Sequence, residues 1–370
     1  MSLGDASKTR GARRPHAAAD SPVGPGRCRR QRSVDARDLG NVSTLRLTLA
    51  CWNYDRTRAL LEARIRPDGI DLNYLSLPVE ETFFRMLRHR EFDVAEMSLS
   101  SYVMSLFRPD RPFVAIPVFP SRSFRHSCIY VHTASGIQEP KDLIGKRVGT
   151  PEYQMTAAVW IRGILADEYA VPVNSVDYFT GGEEEPGRPE KLALDLPPDI
   201  RVERIGPGHT LSAMLARGDI DALYTARMPS SFRPGGGVRR LFEDFATVER
   251  DYYRRTGIFP IMHTVVIRRD VYERDRWVAR SLYKAFAAAQ QETYDDLSQT
   301  AALKTMLPWL TAHVEEVRRE MGEDFWPYGI ERNRSALSMF LRYSYEQGLA
   351  KELVEPDQLF VPETLESFKI

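Results

Sequence analysis

Met86-Leu-Arg-His-Arg-Glu-Phe-Asp-Val-Ala95 and Met214-Leu-Ala-Arg-Gly-Asp-Ile-Asp-Ala-Leu223 decide how this chain is read. Met, Leu and Asp coincide at one constant offset, and the acidic and apolar positions between them align. Each stretch leads from a helical pattern into a strand pattern, at the same place in a β-α-β run. Such runs imply parallel pairing with helices on the sheet faces. The chain therefore reads as two related α/β lobes.

Working outward from the first stretch, Leu45-Arg-Leu-Thr-Leu-Ala-Cys51 alternates at period two, as a strand with one covered face does. Leu60, Leu61 and Ile65 fall at helical spacing over 55–65, and Pro67-Asp-Gly69 ends that helix. Ile70 to Leu77 is a strand, 80–90 a helix with Phe83, Phe84 and Leu87 on one face, and Phe92 to Met97 a strand. Around the second stretch the order recurs: strand Lys146 to Thr150, helix 155–168, strand 201–205, helix 209–217, strand 220–225. After Pro260, Met262 to Ile267 reads as a strand returning to the first lobe. Helices over 275–298 (Trp277, Leu282, Phe286 and Ala289 at helical spacing) and 331–347 are expected to pack on that lobe. The expected division is a tail over 1–44, lobe 1 over 45–131 plus 264–370, and lobe 2 over 132–263. The long loop 180–198 is of a length more often functional than not.

Composition narrows the classes. Lys+Arg and Asp+Glu are equal at 51 each, so no global field favours nucleic acid or an anionic membrane. An anion preference must come from local arginines. Cys28, Cys51 and Cys128 have no CxxC spacing, which fits a reducing compartment. Residues 1–43 carry Arg13, Arg14, Arg29 and Arg30, but no apolar run of roughly 7–15 residues follows, as a secretory leader requires. This segment reads as disordered, either an over-extended gene start or a targeting or interaction arm, and the protein as cytoplasmic. No run of about 18 apolar residues suggests a membrane span.

In open parallel sheets ligands sit beyond the carboxyl ends of strands. Glu96-Met-Ser98-Leu-Ser100-Ser101 follows one such strand and offers hydroxyls and backbone N–H groups to an anion, although serine capping alone accounts for the same residues. Ser121-Arg122-Ser-Phe-Arg125-His126 lies at an expected hinge. Its arginines match carboxylates with a bidentate fork, a solvated loop being the plainer alternative. Tyr153-Gln154-Met-Thr156 opens a helix after a strand, Arg188 lies in the long loop, and His263 stands at the second crossing. His89, His132 and His313 fall in helical or surface contexts without a role. No GxSxG, GxxxxGK[ST], HExxH or strand-linked GxGxxG occurs, and no His/Cys/Asp set has metal-ligand spacing.

Three stretches resemble the 4,5-dihydroxyphthalate decarboxylase family: Phe92-Asp-Val-Ala-Glu96-Met-Ser-Leu-Ser-Ser101, Ile116-Pro-Val-Phe-Pro-Ser-Arg122-Ser-Phe-Arg125-His126 and Gly149-Thr-Pro-Glu-Tyr153-Gln154-Met-Thr156-Ala-Ala-Val-Trp160. Gly187-Arg188 with Glu190-Lys191, Gly257-Ile-Phe-Pro-Ile-Met-His263, and Tyr328-Gly-Ile330 with Asn333 add to the likeness, which runs from about residue 45 to the C-terminus. It implies an α/β, two-lobed, type II periplasmic-binding-protein-like fold with a hinge cleft and C-terminal helices. It also implies an aromatic acid decarboxylase of phthalate degradation, converting 4,5-dihydroxyphthalate to 3,4-dihydroxybenzoate and CO₂. Such chemistry needs carboxylate clamps, a base near a ring hydroxyl and an acid near the ring. The expected clamps are Arg122, Arg125 and Arg188, the acid His126 or His263, and the base Glu96. Ser98, Ser100, Ser101, Tyr153, Gln154 and Thr156 are expected to contact substrate. The ring is its own electron sink, so no organic cofactor is expected, while a divalent metal on a carboxylate or hydroxyl is compatible with the scheme. The expected partner is a small aromatic carboxylate, with no nucleic acid and no membrane. The competing reading is a solute-binding protein of an ABC-type transporter for a small carboxylate.

Overall fold

The computed structural model describes residues 44–365. The Arg-rich segment read as a disordered tail lies outside the described residues. In the first half β1 (Leu45–Ala50), α1 (Asp55–Leu61), β2 (Ile70–Leu75), α2 (Val79–His89), β3 (Val94–Ser98), α3 (Leu99–Ser105) and β4 (Phe113–Ile116) follow one another. Then come β5 (Ile129–His132), β6 (Arg147–Thr150), α4 (Thr156–Tyr169), β7 (Asp177–Thr180), β8 (Val202–Arg204), α5 (Leu211–Arg217), β9 (Ala222–Tyr224), β10 (Val238–Arg240) and α6 (Phe245–Thr256). The chain closes with β11 (His263–Arg268), α7 (Arg269–Arg274), α8 (Trp277–Ser298), α9 (Leu310–Met321) and α10 (Arg334–Glu346).

Two sheets form, ordered β2-β1-β3-β11-β4 and β10-β5-β9-β6-β7-β8. Read from β7 back to β10, the second repeats the order of the first, with β8 added outside. In each sheet one strand runs against its neighbours, β11 between β3 and β4, and β5 between β9 and β10. These two are the strands by which the chain enters its second sheet and returns to its first, which is the expected two-lobed arrangement. The first crossing lies in 117–128, so 129–131 moves to the second lobe from the first, where the sequence reading put it. The aspartate shared by the two repeat stretches does the same job twice. Asp93 accepts the Thr48 N–H of β1 at 2.8 Å, and Asp221 accepts the Arg147 N–H of β6 at 2.9 Å. A carboxylate at each strand entrance thus holds the adjacent parallel strand in register.

The C-terminal helices divide between the lobes. α8 lays Val278, Leu282, Phe286 and Ala289 against Ala59 and Leu60 of α1, a stripe at helical spacing. Trp277, at the same helical spacing, stays 46% exposed at the first turn. α10, expected on the first lobe, packs mainly on α4 of the second, with the Tyr343 ring edge-on to Trp160 at 5.7 Å. No helix among the described residues is long and apolar enough to cross a membrane.

Candidate active site

A cleft of about 350 Å³ lies where the carboxyl ends of strands from both sheets converge, within the range of small-ligand sites. Trp52 and Tyr54 follow β1, Pro78, Val79 and Glu80 follow β2, and Ser98 ends β3. From the other side come Met155 and Thr156 after β6, Lys191 after β7, and Ala226 and Arg227 after β9. Ser121, Arg125, Met262 and His263 contribute from the two crossings.

At its heart Glu96 and His263 meet because β3 and β11 pair antiparallel, with His263 opposite Ser98 and Val265 opposite Glu96. His263 Nδ1 lies 2.6 Å from Glu96 Oε1, which also accepts the Tyr54 hydroxyl at 2.7 Å. Glu96 Oε2 accepts the Trp52 N–H at 3.1 Å. Burial would raise the Glu96 carboxyl, but the charge and hydrogen bond of His263, with those of Tyr54 and Trp52, hold it below the usual range. Glu96, the expected base, is fully buried and outside the cleft lining, with its carboxylate held on the His263 ring. With Nδ1 engaged, Nε2 is the ring nitrogen left without a partner among the described residues. Phe83 meets the His263 ring edge-on at 4.9 Å.

The expected arginine clamps take three different positions. Arg122 points away from the cleft: it donates to the Phe259 carbonyl at 3.2 Å, to the Pro327 carbonyl at 2.8 Å, and to Asn333 Oδ1, tying the hinge to the C-terminal segment. Arg188 is already paired. Its Nη2 lies 2.5 Å from Glu80 Oε2, and its Nε donates to Glu152 Oε1 at 2.8 Å. Arg125 lines the cleft, and its guanidinium meets only soft neutral acceptors, Met262 Sδ at 3.1 Å and Cys128 Sγ at 3.6 Å. Among the described residues it makes no direct ion pair, Glu249 acting on it only from further off. Arg227, which sequence reasoning missed, lines the cleft and likewise makes no direct ion pair among the described residues, its charge acting on Glu183 from further off. Cys128, which touches Arg125, accepts through its carbonyl the N–H of Thr225, two residues before Arg227.

The remaining expected residues divide as sharply. Ser98 and Thr156 line the cleft and join the lobes, Oγ to Oγ1 at 2.8 Å. The Ser100 N–H donates to Thr156 Oγ1 at 3.0 Å and the Ser101 N–H to Ser98 Oγ at 3.5 Å, so these α3 donors are occupied and neither serine lines the cleft. Tyr153 donates its hydroxyl to the Gln347 carbonyl at 3.2 Å, and Gln154 donates to Glu190 and Leu192; both lie outside the cleft lining and brace α4 and the 181–200 loop. His126 is enclosed by Tyr169, Phe242 and Tyr252, with no partner on either ring nitrogen. Burial, and secondarily Arg255, push it down to about 4, so at neutral pH the ring is uncharged and not an imidazolium acid. Trp52, Tyr54, Phe83, Lys191 and Arg227 line the cleft without being among the site residues the sequence points to. Three of them, Trp52, Tyr54 and Arg227, sit just past correctly read strand ends, which was the available signal. Among the described residues no group of three His, Cys, Asp or Glu side chains is placed to hold a metal ion.

No family model matches the chain. Among solved structures, the periplasmic aliphatic sulphonate binding protein SsuA from Escherichia coli is 14% identical at a TM-score of 0.47, covering 85% of this chain and 97% of that one. The putative sulfonate-binding SsuA from Methylobacillus flagellatus is 13% identical at 0.48, covering 87% and 93%. Likeness at this level says nothing about a ligand. Sequence relatives are far nearer. A 4,5-dihydroxyphthalate decarboxylase from Pseudomonas putida is 42% identical over 220 residues, 59% of this chain and 85% of the relative. Another from Comamonas testosteroni is 41% identical over 330 residues, 89% of this chain and 100% of the relative, and the chain belongs to the 4,5-dihydroxyphthalate decarboxylase family.

Proposed function

We propose that this protein decarboxylates 4,5-dihydroxyphthalate to 3,4-dihydroxybenzoate and CO₂, with Arg125 as carboxylate clamp and His263 as proton donor. The observation that carries the reading is the cleft itself: a histidine oriented by a buried carboxylate, beside two guanidinium groups that make no direct ion pair among the described residues.

The buried Arg125 fork takes the carboxylate that the product keeps. The departing carboxylate must become neutral CO₂, so a second strong ion pair would stabilise the ground state more than the transition state. The apolar wall of Trp52 and Phe83 suits it better, and Arg227 at the exposed lip attracts the dianion. The ring hydroxyl para to the departing group pushes electron density to that carbon. His263, as imidazolium stabilised by Glu96, adds a proton there from Nε2. The carbon–carbon bond then breaks, CO₂ leaves, its bonding pair restores the aromatic ring, and the imidazole regains a proton from solvent. One proton is consumed per CO₂, and the electrons stay in the ring, so the scheme draws on the chain's own residues.

The test is CO₂ release from 4,5-dihydroxyphthalate, with the Arg125→Ala and His263→Asn variants alongside. Turnover is expected from the parent. His263→Asn should lose kcat by about 10²–10⁴, the usual contribution of general acid catalysis, while still binding substrate. Arg125→Ala should weaken binding by about 1.5–3 kcal/mol, with poor rescue by lysine. Tight binding with no CO₂ from the parent would overturn the reading.

A further inference from the structure

One carboxylate in the cleft has no part in this scheme. Glu80 opens α2 in the first lobe and faces the 181–200 loop of the second. Its Oε2 carries both ion pairs, to Arg188 Nη2 at 2.5 Å and to Lys191 Nζ at 2.9 Å. Its Oε1 has no partner among the described residues, and the side chain, 27% exposed, lines the cleft. Lys191 is in turn bound to the buried Glu152, so two cations and two anions form a neutral group at this end. Arg125 and Arg227 make no such direct ion pair among the described residues, Glu249 and Glu183 acting on them only from further off. The cleft therefore has two unlike ends, one with guanidinium groups free of direct ion pairs and one presenting a carboxylate oxygen without a hydrogen-bond partner among the described residues.

A substrate with two adjacent carboxylates on one edge of a ring and two hydroxyls on the opposite edge has the complementary polarity. We infer that Glu80 Oε1 accepts a hydrogen bond from the ring hydroxyls and so selects hydroxylated dicarboxylates over plain ones, an inference that rests on the decarboxylase reading for its substrate class. A hydroxyl donating to an ionised carboxylate makes a charge-assisted bond. The same carboxylate repels the acidic edge of a substrate entering the wrong way round, so it sets orientation by repulsion as well as attraction. Burial acts to raise the Glu80 carboxyl, but Lys191 and Arg188 overcome it and hold the group near 2, which keeps it an acceptor at any working pH. Lys191 also sits 6.0 Å from the centroid of the Phe83 ring that packs on His263, so the hydroxyl-reading end adjoins the proton donor. That adjacency suits a reaction in which a hydroxyl and the protonated carbon stand para on one ring.

Calorimetric titration of the parent and of Glu80→Gln with 4,5-dihydroxyphthalate and with phthalate, which has the carboxylates but no hydroxyls, separates the roles. His263→Asn as a common background prevents turnover during the measurement. Glu80→Gln should bind the dihydroxy compound about ten- to a hundredfold more weakly, the worth of one hydrogen bond to a charged group. Its affinity for phthalate should be unchanged or higher. Equal weakening of both ligands would make Glu80 only a strut between the lobes, and no change in either would remove it from recognition; both results overturn the inference. If Glu80→Gln does not fold, Glu80→Asp keeps the charge, shortens the reach and should show the same selective loss. Protein with His263 intact that binds both compounds but releases no CO₂ would sink the decarboxylase reading while leaving this comparison intact.

Discussion

The His126 ring has no hydrogen-bond partner on either nitrogen and is packed by Tyr169, Phe242 and Tyr252, so charging it places a cation where nothing neutralises it. Its pKa falls from 6.5 to about 4, chiefly through burial and secondarily through Arg255. The sign of the consequence follows from linkage. Above about pH 6.5 the ring is neutral in both folded and unfolded chains, and stability does not depend on it. Below that, the unfolded chain binds a proton that the folded one refuses until about pH 4, so stability is lost as pH falls through this window, by about 3 kcal/mol at its lower end. His126→Phe removes the proton site and should flatten that part of the profile. Denaturant unfolding of both proteins at pH 7 and pH 4.5 measures it. An acid loss as large in the variant as in the parent would mean that His126 charges in the folded state. His263, equally close to a crossing in sequence, differs in its surroundings by one neighbour, Glu96, which β3 places beside it.

At the scale of elements, the repeated helix-to-strand unit explains both what the sequence disclosed and what it hid. α2 and α5 each end in a left-handed residue, Arg90 with φ 52° and Gly218 with φ 77°, at matching positions of the two quoted stretches. Glycine takes that conformation without steric strain, whereas an L side chain there costs roughly 1–2 kcal/mol. Gly218→Ala should therefore lower stability by about that amount, read from the denaturant midpoint, with CO₂ release retained. An unchanged midpoint would show that the cap relaxes. The amphipathic strands and long helices were legible because periodicity needs several residues to declare itself. Strands of three or four residues offer too few: β6, β8 and β9 are legible only through the recurring strand-helix order, which gives no cue to β7 or β10. The site was legible as a set of strand ends but not as a set of side chains. Arg122 and Arg125 are three positions apart in one hinge segment, and only tertiary packing turns the first toward Asn333 and leaves the second in the cleft. Arg188 looked like a free clamp because Glu80 and Glu152, which occupy it, are distant in sequence.

Across the whole molecule the lobes are joined by more than their two crossings. α8 is seated on the first lobe through α1, while α10 lies on α4 of the second, so the C-terminal segment spans both. The α4–α10 seam is tight at one point, Gly163, where a methyl group would overlap the Tyr343 ring. That ring also stacks edge-on against Trp160 and donates its hydroxyl to Asp167 at 2.7 Å, so it is held from several sides and has little room to yield. A few residues on, Gln347 receives Arg162 Nε at 2.8 Å and donates to the Val159 carbonyl at 2.9 Å, fixing the same two helices. Gly163→Ala gains helix propensity of about 1 kcal/mol, but overpacking a filled core typically costs 1–3 kcal/mol and shifts backbone. Because α4 begins at Thr156, whose hydroxyl bridges to Ser98 in the cleft, a displacement of α4 is felt at the site. The expected outcome is a net loss of stability together with a raised KM for 4,5-dihydroxyphthalate, the chemical step being less affected because Glu96 and His263 both belong to the first sheet. Stability lost with KM unchanged would mean that α10 yields and the lobes keep their spacing, and stability gained would mean that the seam is loose.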